Sequence, residues 1–219
     1  EMRGLSLKLA VRNAYDRAAQ FAKAADPVFC LALAKAFVAA KGANQRTLLR
    51  RNGTDIPEQA LKTMADLLRQ VEGVDNLPSL LGFEGLIARS YFENVPRMLK
   101  PRLEGDWDFD DFVRNRRPPK DPINALLSFG YAILAKECSV ALAAVGLDPH
   151  WGFYHQPRHG RPALALDLME EFRPLVVDSA MITAVNTGMV GPKDFERTHN
   201  ACMLNAKGRK GFLQAFEAR

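Results

Sequence analysis

The chain has 219 residues, of which 47% are hydrophobic and 25% are charged, a composition typical of a globular domain that buries a core. Its three cysteines are widely separated and none forms a C-x-x-C pair, which argues against a disulfide scaffold, a zinc ribbon or an iron–sulfur cluster. The net charge of +5 is only a weak indication of an anionic partner. We find no apolar run of transmembrane length and no signal peptide, so the sequence favours a cytoplasmic protein without a membrane partner.

The first segment, residues 1–25, is predicted to be a linker or an interdomain segment. Apolar residues alternate with other residues from Leu5 to Val11, a pattern that favours a short strand or an extended linker. The sequence begins with Glu1 rather than methionine, so we expect it to be part of a longer chain. A helical domain is predicted over residues 26–219.

Three helices are predicted from an aspartate placed close to a proline, because aspartate caps a helix and proline suits its first turn. The signals are Asp26-Pro27, Asp55 before Pro57, and Asp121-Pro122. Apolar residues at helical spacing follow each one: Leu31, Ala34 and Val38; Leu61, Met64, Leu68 and Val71; and Leu126, Leu127, Leu134, Ala141, Leu142 and Val145.

Glycines are predicted to end two of these helices, Gly73 the second and Gly146 the third. Another helix is expected near residues 208–216. Since no long strand-rich segment interrupts the series, the predicted fold class is mainly α, a lobe of several helices.

A further predicted helix carries an acid on its apolar face. Residues spaced by four and three form one stripe along it: Leu77, Leu81, Glu84, Ala88, Tyr91 and Val95. A carboxylate on a buried face is costly unless a positive group meets it. Glu84 is therefore either half of an ion pair, with an arginine such as Arg89 or Arg17, or a metal ligand.

The segment 146–162 contains prolines and glycines that exclude a regular helix, and it holds three of the four histidines. His155 is a candidate ligand there, although a lone histidine in a loop is more often structural. The next predicted helix has Leu164, Leu168 and Phe172 on its apolar face.

Three acids share one face of that helix: Asp167, Glu170 and Glu171. They either favour the helix dipole near its start or repel one another until a cation intervenes. Two or three carboxylates with one imidazole suit Mg²⁺ or Mn²⁺. Arginine clusters elsewhere are either solvated surface or phosphate-binding groups. A metal beside arginines is suited to phosphoryl transfer on a polyanion.

Three long segments, together with Asn44-Gln45-Arg46, resemble the helical catalytic domain of the CRISPR-associated spacer integrases, the Cas1 family. The segments are 82–92 (GFEGLIARSYF), 115–131 (NRRPPKDPINALLSFGY), and 146–155 (GLDPHWGFYH) continued by 160–162 (GRP) and 167–174 (DLMEEFRP). They span nearly the whole chain in the family's order.

The resemblance implies a metal-dependent DNA endonuclease and integrase that inserts short DNA fragments, called spacers, into a CRISPR array. The attacking group would be the 3′-hydroxyl of the incoming DNA. The resemblance makes Glu84, His155 and Glu170 the catalytic ligands of Mg²⁺ or Mn²⁺, and Asp167 an accessory catalytic acid. Many members of the family have an aspartate where this chain has Glu170.

The resemblance also implies DNA-binding residues: Arg46, Asn115, Arg117, Tyr131, Arg158, Arg161 and Arg173. Two of them have structural alternatives, because Tyr131 could pack in the core and Arg173 could pair with Glu170 or Glu171. Asn115 is expected to orient the adjacent loop.

Several partners are implied in the same way. They are the incoming DNA and the CRISPR repeat, a second copy of the chain, the small protein Cas2, and a fused upstream nuclease or reverse transcriptase domain, in the cytoplasm of a prokaryote. The family's usual N-terminal β-rich domain is expected to be missing from this chain. The alternative function is a non-catalytic helical DNA-binding scaffold whose acids form structural ion pairs. A small-molecule phosphohydrolase is less supported, because the arginines are dispersed along the chain.

Overall fold

The computed structural model describes residues 14–100, 107, 112–115 and 118–219. The predicted strand or linker at Leu5 to Val11 and the candidate DNA-binding residue Arg117 lie outside these residues. The fold is mainly α, as predicted. Its elements are α1 (Ala14–Ala24), α2 (Pro27–Asn52), α3 (Glu58–Val71), α4 (Leu77–Phe92), α5 (Pro122–Val145), α6 (Ala163–Phe172), α7 (Ser179–Asn186), β1 (Phe195–Arg197), β2 (Cys202–Leu204) and α8 (Ala206–Glu217).

The long helix α2 is the centre of the packing. It lies against α3, α4 and α6, and α6 also packs on α5. The core that these helices share includes Val38, Leu49, Met64, Leu80, Ile87, Leu126, Leu127 and Met169. Three shorter elements complete the described chain: a 3₁₀ turn at Val95–Met98, a π-helical turn at Arg173–Asp178 that joins α6 to α7, and the antiparallel hairpin of β1 and β2.

Two of the predicted aspartate caps are confirmed. The Asp26 side chain accepts hydrogen bonds from the Val28 and Phe29 amides at the start of α2, and the Asp121 side chain accepts one from the Asn124 amide at the start of α5. Gly146 ends α5 in the left-handed region, with φ of 97°, as its position predicted.

The cap predicted at Asp55 is wrong. The residue before the first residue of α3 is Pro57, and no side chain caps this helix. Asp55 has a φ of 53° in the preceding turn. It is two residues too early, because a cap side chain has to stand directly before the first helical residue to reach the free amides.

The buried faces of three helices differ from those predicted. In α4 the buried positions are Leu80, Ile87 and Tyr91, whereas Leu81 is 54% exposed. Glu84 fits the four–three–four spacing of the buried set, so the acid lies on the true buried face.

In α5 the buried positions continue in steps of four through Gly130, Leu134, Cys138 and Leu142. Ala141 and Val145 fall outside those steps and are exposed. In α6 the buried residues include Ala163, Ala165 and Met169 as well as Leu164, so the covered face is wider than predicted. Phe172, at its end, is 38% exposed.

Two helices of the described chain, α2 and α5, are long and apolar enough to cross a membrane by length and composition. Both helices contribute buried residues to the core, and the core helix of a soluble protein passes the same test. The two helices are therefore weak evidence for a membrane span.

Helix α1 lies within the segment predicted to be a linker. Its Gln20 side chain donates to the carbonyls of Asp148 and Trp151 and accepts from the Asp148 amide. These bonds tie α1 to the start of the histidine-bearing loop. The division of the chain at residue 25 stays a prediction.

Candidate active site

Two glutamates from different helices meet at one buried lysine. The Lys41 Nζ atom of α2 lies 2.5 Å from Glu84 Oε1 of α4 and 2.6 Å from Glu170 Oε2 of α6. Lys41 and Glu170 are buried, and Glu84 is partly exposed. The structure thus brings together two of the three predicted metal ligands, 86 residues apart along the chain, around an ammonium group.

Lys41 was missed by the sequence reasoning, although the sequence contains a signal. The buried positions of α2 follow helical spacing through Cys30, Ala34, Val38, Lys41, Gln45 and Leu49. A lysine on an apolar stripe requires an acidic partner as much as an acid requires a basic one. The ion-pair alternative for Glu84 also named the wrong partners, since Arg89 pairs instead with the exposed Glu93.

The charges around Glu170 are strongly coupled. Burial alone would raise the pKa of Glu170, but the positive charges of Lys41 and Arg173 outweigh it and lower that pKa below its usual value. The Arg173 guanidinium lies 3.1 Å from Glu170 Oε1. For Arg173, burial lowers the pKa, yet the charge of Glu170 and its neighbours raises it overall. Both groups are therefore ionised, and the predicted alternative pairing of Arg173 with Glu170 is present.

A hydrogen bond from Tyr154 completes the surroundings of Glu84. The Tyr154 hydroxyl donates to Glu84 Oε2 at 2.9 Å. Burial and the charge of Glu84 raise the pKa of Tyr154, so the phenol keeps its proton and remains a donor. One oxygen of Glu84 is held by a phenol and the other by Lys41.

His155 is oriented by Asp167, which is completely buried. Asp167 Oδ1 accepts from the His155 amide and lies 2.7 Å from the His155 ring Nδ1. Its Oδ2 atom accepts from the amides of Phe153 and Tyr154. Since an ionised carboxylate only accepts hydrogen bonds, we assign the ring proton to Nδ1. His155 Nε2, with its lone pair free, then lies 4.0 Å from Glu170 Oε1.

Asp167 is bonded to the loop and not to Lys41, the residue that both glutamates contact. Among the described residues, the hydrogen bonds of its side chain all go to the loop that carries His155, so it holds the imidazole in place. This is the arrangement in which an outer carboxylate orients a histidine ligand.

Gly152 makes the tight approach of this loop possible. A Cβ atom at residue 152 would lie 2.7 Å from the His155 carbonyl oxygen, 2.8 Å from Asp167 Oδ2 and 2.9 Å from the Ala163 carbonyl carbon. These distances are too short for any side chain. The sequence signal was the glycine itself, three residues before His155.

A positively lined cavity of about 640 Å³ opens beside His155. Its lining includes four arginines, two histidines and Tyr131: Arg114, Arg158, Arg161, Arg173, His155, His159 and Tyr131. Arg158 and Arg161 are paired across a narrow turn, where Gly160 adopts a φ of 69°. Neither has a carboxylate partner among the described residues, so their charges are available for an anionic ligand.

The wall of the cavity is supported by a buried acid, Asp178. Tyr131 and Tyr91 donate to its two oxygens at 2.5 and 2.8 Å. Burial raises the pKa of Asp178 to about 6, against the opposing effects of the tyrosine hydrogen bonds and Arg173. The Arg173 guanidinium lies 4.7 Å from the centre of the Tyr131 ring. Tyr131 therefore lines the cavity and packs against Arg173, and its role in DNA binding stays a prediction.

The remaining candidate DNA-binding residues lie elsewhere. Arg46 Nε donates to the Leu61 carbonyl and joins α2 to α3, so it does not line the cavity. Asn115 donates to the Val113 carbonyl and to Asp121 and accepts from the Lys120 amide, which agrees with its expected role in orienting this loop.

The donor set is suitable for Mg²⁺ or Mn²⁺, although it is not arranged as a finished metal site. In the described part of the chain, no group of three His, Cys, Asp or Glu side chains stands ready to hold a metal ion. Two carboxylates instead converge on the ammonium of Lys41, with the free nitrogen of His155 nearby. Hard oxygen donors with one imidazole fit these ions, provided that the ammonium moves away.

The comparisons with known proteins agree on one family. The family model described as CRISPR associated protein Cas1 matches residues 3–218. A protein of Geobacter sulfurreducens, described as a CRISPR-associated exonuclease Cas4/endonuclease Cas1 fusion, is 49% identical over 214 residues. The match covers 95% of this chain and 38% of that protein, so the chain spans much less than the whole relative.

Two solved structures share the fold. A structure described as a casposase bound to integration product has a TM-score of 0.80 and 29% identity, covering 98% of this chain and 57% of that one. A structure described as a partial Cas6-RT-Cas1–Cas2 complex has a TM-score of 0.83 and 31% identity, covering 97% and 63%.

Proposed function

Because this chain belongs to the CRISPR-associated Cas1 family, we propose that it is the catalytic domain of a metal-dependent DNA endonuclease and integrase that inserts spacers into a CRISPR array. The observation that carries the proposal is the convergence of Glu84, Glu170 and His155 beside an arginine-lined cavity. The similarity to a structure described as a casposase bound to integration product supports the same reaction class.

In the proposed reaction, the 3′-hydroxyl oxygen of the incoming DNA attacks a phosphodiester of the CRISPR repeat. A new phosphorus–oxygen bond forms, and the bond to the former 3′-oxygen breaks. The attacking hydroxyl loses its proton to solvent, and the departing 3′-oxygen gains one. No covalent intermediate with the protein is required.

Glu84, Glu170 and His155 would hold Mg²⁺ or Mn²⁺ in this proposal. The bound ion would stabilise the negative charge that develops on the transferred phosphate. Asp167 keeps a proton on His155 Nδ1 and therefore leaves Nε2 as the ligand atom.

Arg158 and Arg161 would neutralise DNA phosphates at the mouth of the cavity. Arginine suits this task because its planar fork can donate two hydrogen bonds to phosphate oxygens. Such contacts position DNA without reading its sequence. Arg173 is occupied by Glu170 and Tyr131, so we assign it to the support of the site rather than to a free phosphate-binding group.

The proposed partners extend beyond DNA. The similarity to a structure described as a Cas6-RT-Cas1–Cas2 complex supports assembly with a Cas2 protein, and the Geobacter relative supports a fused nuclease domain. We also propose that two copies of the chain pair, and that the protein acts in the cytoplasm of a prokaryote.

The test is a joining assay with the intact protein, a labelled DNA fragment with free 3′ ends and a CRISPR repeat. We expect joining only with Mn²⁺ or Mg²⁺, and a loss on the order of 100-fold or more for Glu84→Gln and His155→Ala. Glu93→Gln is the matched control, because Glu93 is an exposed acid at the end of α4, the helix that carries Glu84, and pairs with Arg89. Full joining by Glu84→Gln or His155→Ala, or joining in excess EDTA, would refute the proposal.

The Lys41 ion pairs favour a second candidate, a DNA-binding scaffold whose acids are structural. A scaffold would bind DNA in a salt-sensitive manner with no metal-dependent joining. It would also gain no thermal stability from Mn²⁺. Joining and metal-induced stabilisation together therefore separate the two candidates.

A further inference from the structure

Lys41 occupies the place where the two acidic ligands of the proposed metal site converge. Its ammonium is within 2.6 Å of both Glu84 and Glu170, and the residue is buried in α2, the helix that packs on α4 and α6. A site of two buried carboxylates requires positive charge in every state of the protein. In the protein without metal, Lys41 supplies that charge.

We propose that Lys41 is an internal counter-ion of the metal site, which holds Glu84 and Glu170 together before metal binds and is displaced by the incoming divalent ion. This inference rests on the proposed function, since it concerns the same three ligands. Under this proposal Lys41 is a positioning residue. The metal affinity of the site then depends on competition between the Lys41 ammonium and the divalent ion for the two carboxylates.

The contacts of the individual oxygens support displacement. Glu84 Oε2 is held by Tyr154, and Glu170 Oε1 lies beside Arg173. The remaining oxygens, Glu84 Oε1 and Glu170 Oε2, are the two that face Lys41. When the ammonium leaves, these two oxygens become available together, while the other two keep the glutamate side chains in position.

One of those oxygens is already poorly satisfied. Glu170 Oε2 is fully buried, and its 2.6 Å contact with the Lys41 ammonium is an ion pair whose geometry is poor for a hydrogen bond. A buried carboxylate oxygen with no well-aligned hydrogen bond has none to break when a metal ion replaces the ammonium. An oxygen of this kind indicates a position that binds a cation, rather than one that accepts from a fixed hydrogen-bond donor.

The two cations cannot occupy the site together. A Mg²⁺ ion binds oxygen at about 2.0–2.1 Å, so an ion on both carboxylates would overlap the ammonium position. Lysine is suited to leaving, because its charge sits on a flexible four-carbon stem. With the ammonium displaced but still nearby, the site has surplus positive charge, which a DNA phosphate would balance.

The test compares Mn²⁺ binding and thermal unfolding of the intact protein and of Lys41→Met. Without metal, the variant should unfold at a lower temperature, because its two carboxylates repel each other. It should bind Mn²⁺ at least tenfold more tightly and gain more thermal stability from it, because no ammonium competes. Lys35→Met is the matched control on the same helix, since the Lys35 ammonium donates to the exposed Glu72 carbonyl and is not bonded to either glutamate ligand, so Mn²⁺ affinity should stay unchanged.

Equal Mn²⁺ affinity in wild type and Lys41→Met would overturn the displacement, and weaker affinity in the variant would do so as well. If Mn²⁺ binds to neither protein, or binds equally well after Glu84→Gln, the proposed metal site itself fails. If Lys41→Met does not fold, the wild type is titrated with Mg²⁺ and its lysine side-chain carbons are followed by NMR. The Lys41 signal should then move as the ion binds while the Lys35 signal stays, and a fixed Lys41 signal at saturating Mg²⁺ would refute the inference.

Discussion

Asp167 Oδ1 accepts a hydrogen bond from the main-chain amide of His155 and also lies next to its ring Nδ1, with both distances at 2.7 Å. A single oxygen atom therefore fixes the position of the residue and the rotation of its imidazole. The other oxygen holds the amides of Phe153 and Tyr154, so the whole loop is built on one buried carboxylate. The tautomer of His155 follows from this geometry, because the carboxylate can only accept.

Replacing Asp167 by asparagine should release His155 from that tautomer. One oxygen of the carboxylate becomes an NH₂ group, which cannot accept from a ring or amide N–H. We expect Mn²⁺ affinity and joining to fall by about 10–100-fold, as happens when outer carboxylates of metal-bound histidines are lost. Isothermal titration with Mn²⁺ and the joining assay measure the two effects.

The control for Asp167→Asn is Asp148→Asn. Asp148 lies in the same loop, but among the described residues the polar partner of its side chain is His150 and not His155. This variant should keep wild-type Mn²⁺ affinity. If Asp167→Asn binds Mn²⁺ as tightly as Asp148→Asn, then Asp167 does not orient a metal ligand.

Alanine at position 152 should destabilise the loop of His155. Its Cβ would lie under 3.0 Å from three atoms, two of them main-chain atoms that cannot move without shifting the loop. Overpacking of this kind costs about 1–3 kcal/mol in unfolding free energy. Urea denaturation of Gly152→Ala measures it.

Gly82→Ala is the control for Gly152→Ala, and we expect it to stabilise the protein. Nothing lies within 4 Å of a Cβ at this position in the middle of α4. Alanine favours a helix over glycine by roughly 0.5–1 kcal/mol, so this variant should be more stable than wild type. A Gly152→Ala protein as stable as Gly82→Ala would show that the loop is not tightly packed.

Local rules predicted the parts of this fold that depend on neighbouring residues. Asp26 and Asp121 cap helices, and Gly146 ends one, because each acts within a single turn. Glu84 was singled out correctly because an acid on an apolar stripe contradicts the pattern around it. The predicted stripe was wrong by one residue, because it included the exposed Leu81 in place of the buried Leu80. Both residues are leucines, so only the packing of α4 on its neighbours determines which one is buried.

The long-range contacts could not be read in the same way. The partner of Glu84 is Lys41, 43 residues earlier, and neither of the expected partners, Arg89 and Arg17, could be told from it by spacing along the chain. Asp178 binds Tyr91 and Tyr131, which lie 87 and 47 residues earlier, and nothing local marks it as buried. Pairing of polar groups across helices depends on how the helices pack, which spacing along one helix does not specify.

Asp178 gives the fold a measurable pH dependence. Its pKa is about 6 in the folded protein and 3.8 for the unperturbed group, so the folded state binds this proton more tightly than the unfolded state. The stabilising contribution of the protonated acid is complete below the unfolded pKa and is lost as pH rises through about 6. Between pH 4 and pH 7 this loss amounts to about 2 kcal/mol.

Urea denaturation at several pH values checks this expectation against Asp178→Asn, which has no proton to lose. The unfolding free energy of wild type minus that of the variant should fall by about 2 kcal/mol from pH 4 to pH 7. If the variant does not fold, NMR titration of the Asp178 carboxyl carbon in wild type should give a midpoint near pH 6. A difference independent of pH, or a midpoint near 4, would contradict the raised pKa.

Arg158 and Arg161 should contribute to DNA affinity through phosphate neutralisation. Each phosphate contact releases counter-ions from DNA, so losing one reduces the slope of log affinity against log salt by about 1. Arg158→Ala and Arg161→Ala should each lower that slope and weaken all DNA sequences alike, because the contacts carry no base readout. Arg89→Ala is the control, since its guanidinium is exposed on α4 and pairs with Glu93. Fluorescence anisotropy over a range of salt concentrations measures the slopes, and an unchanged slope in both cavity variants would mean that DNA does not follow the arginine-lined cavity.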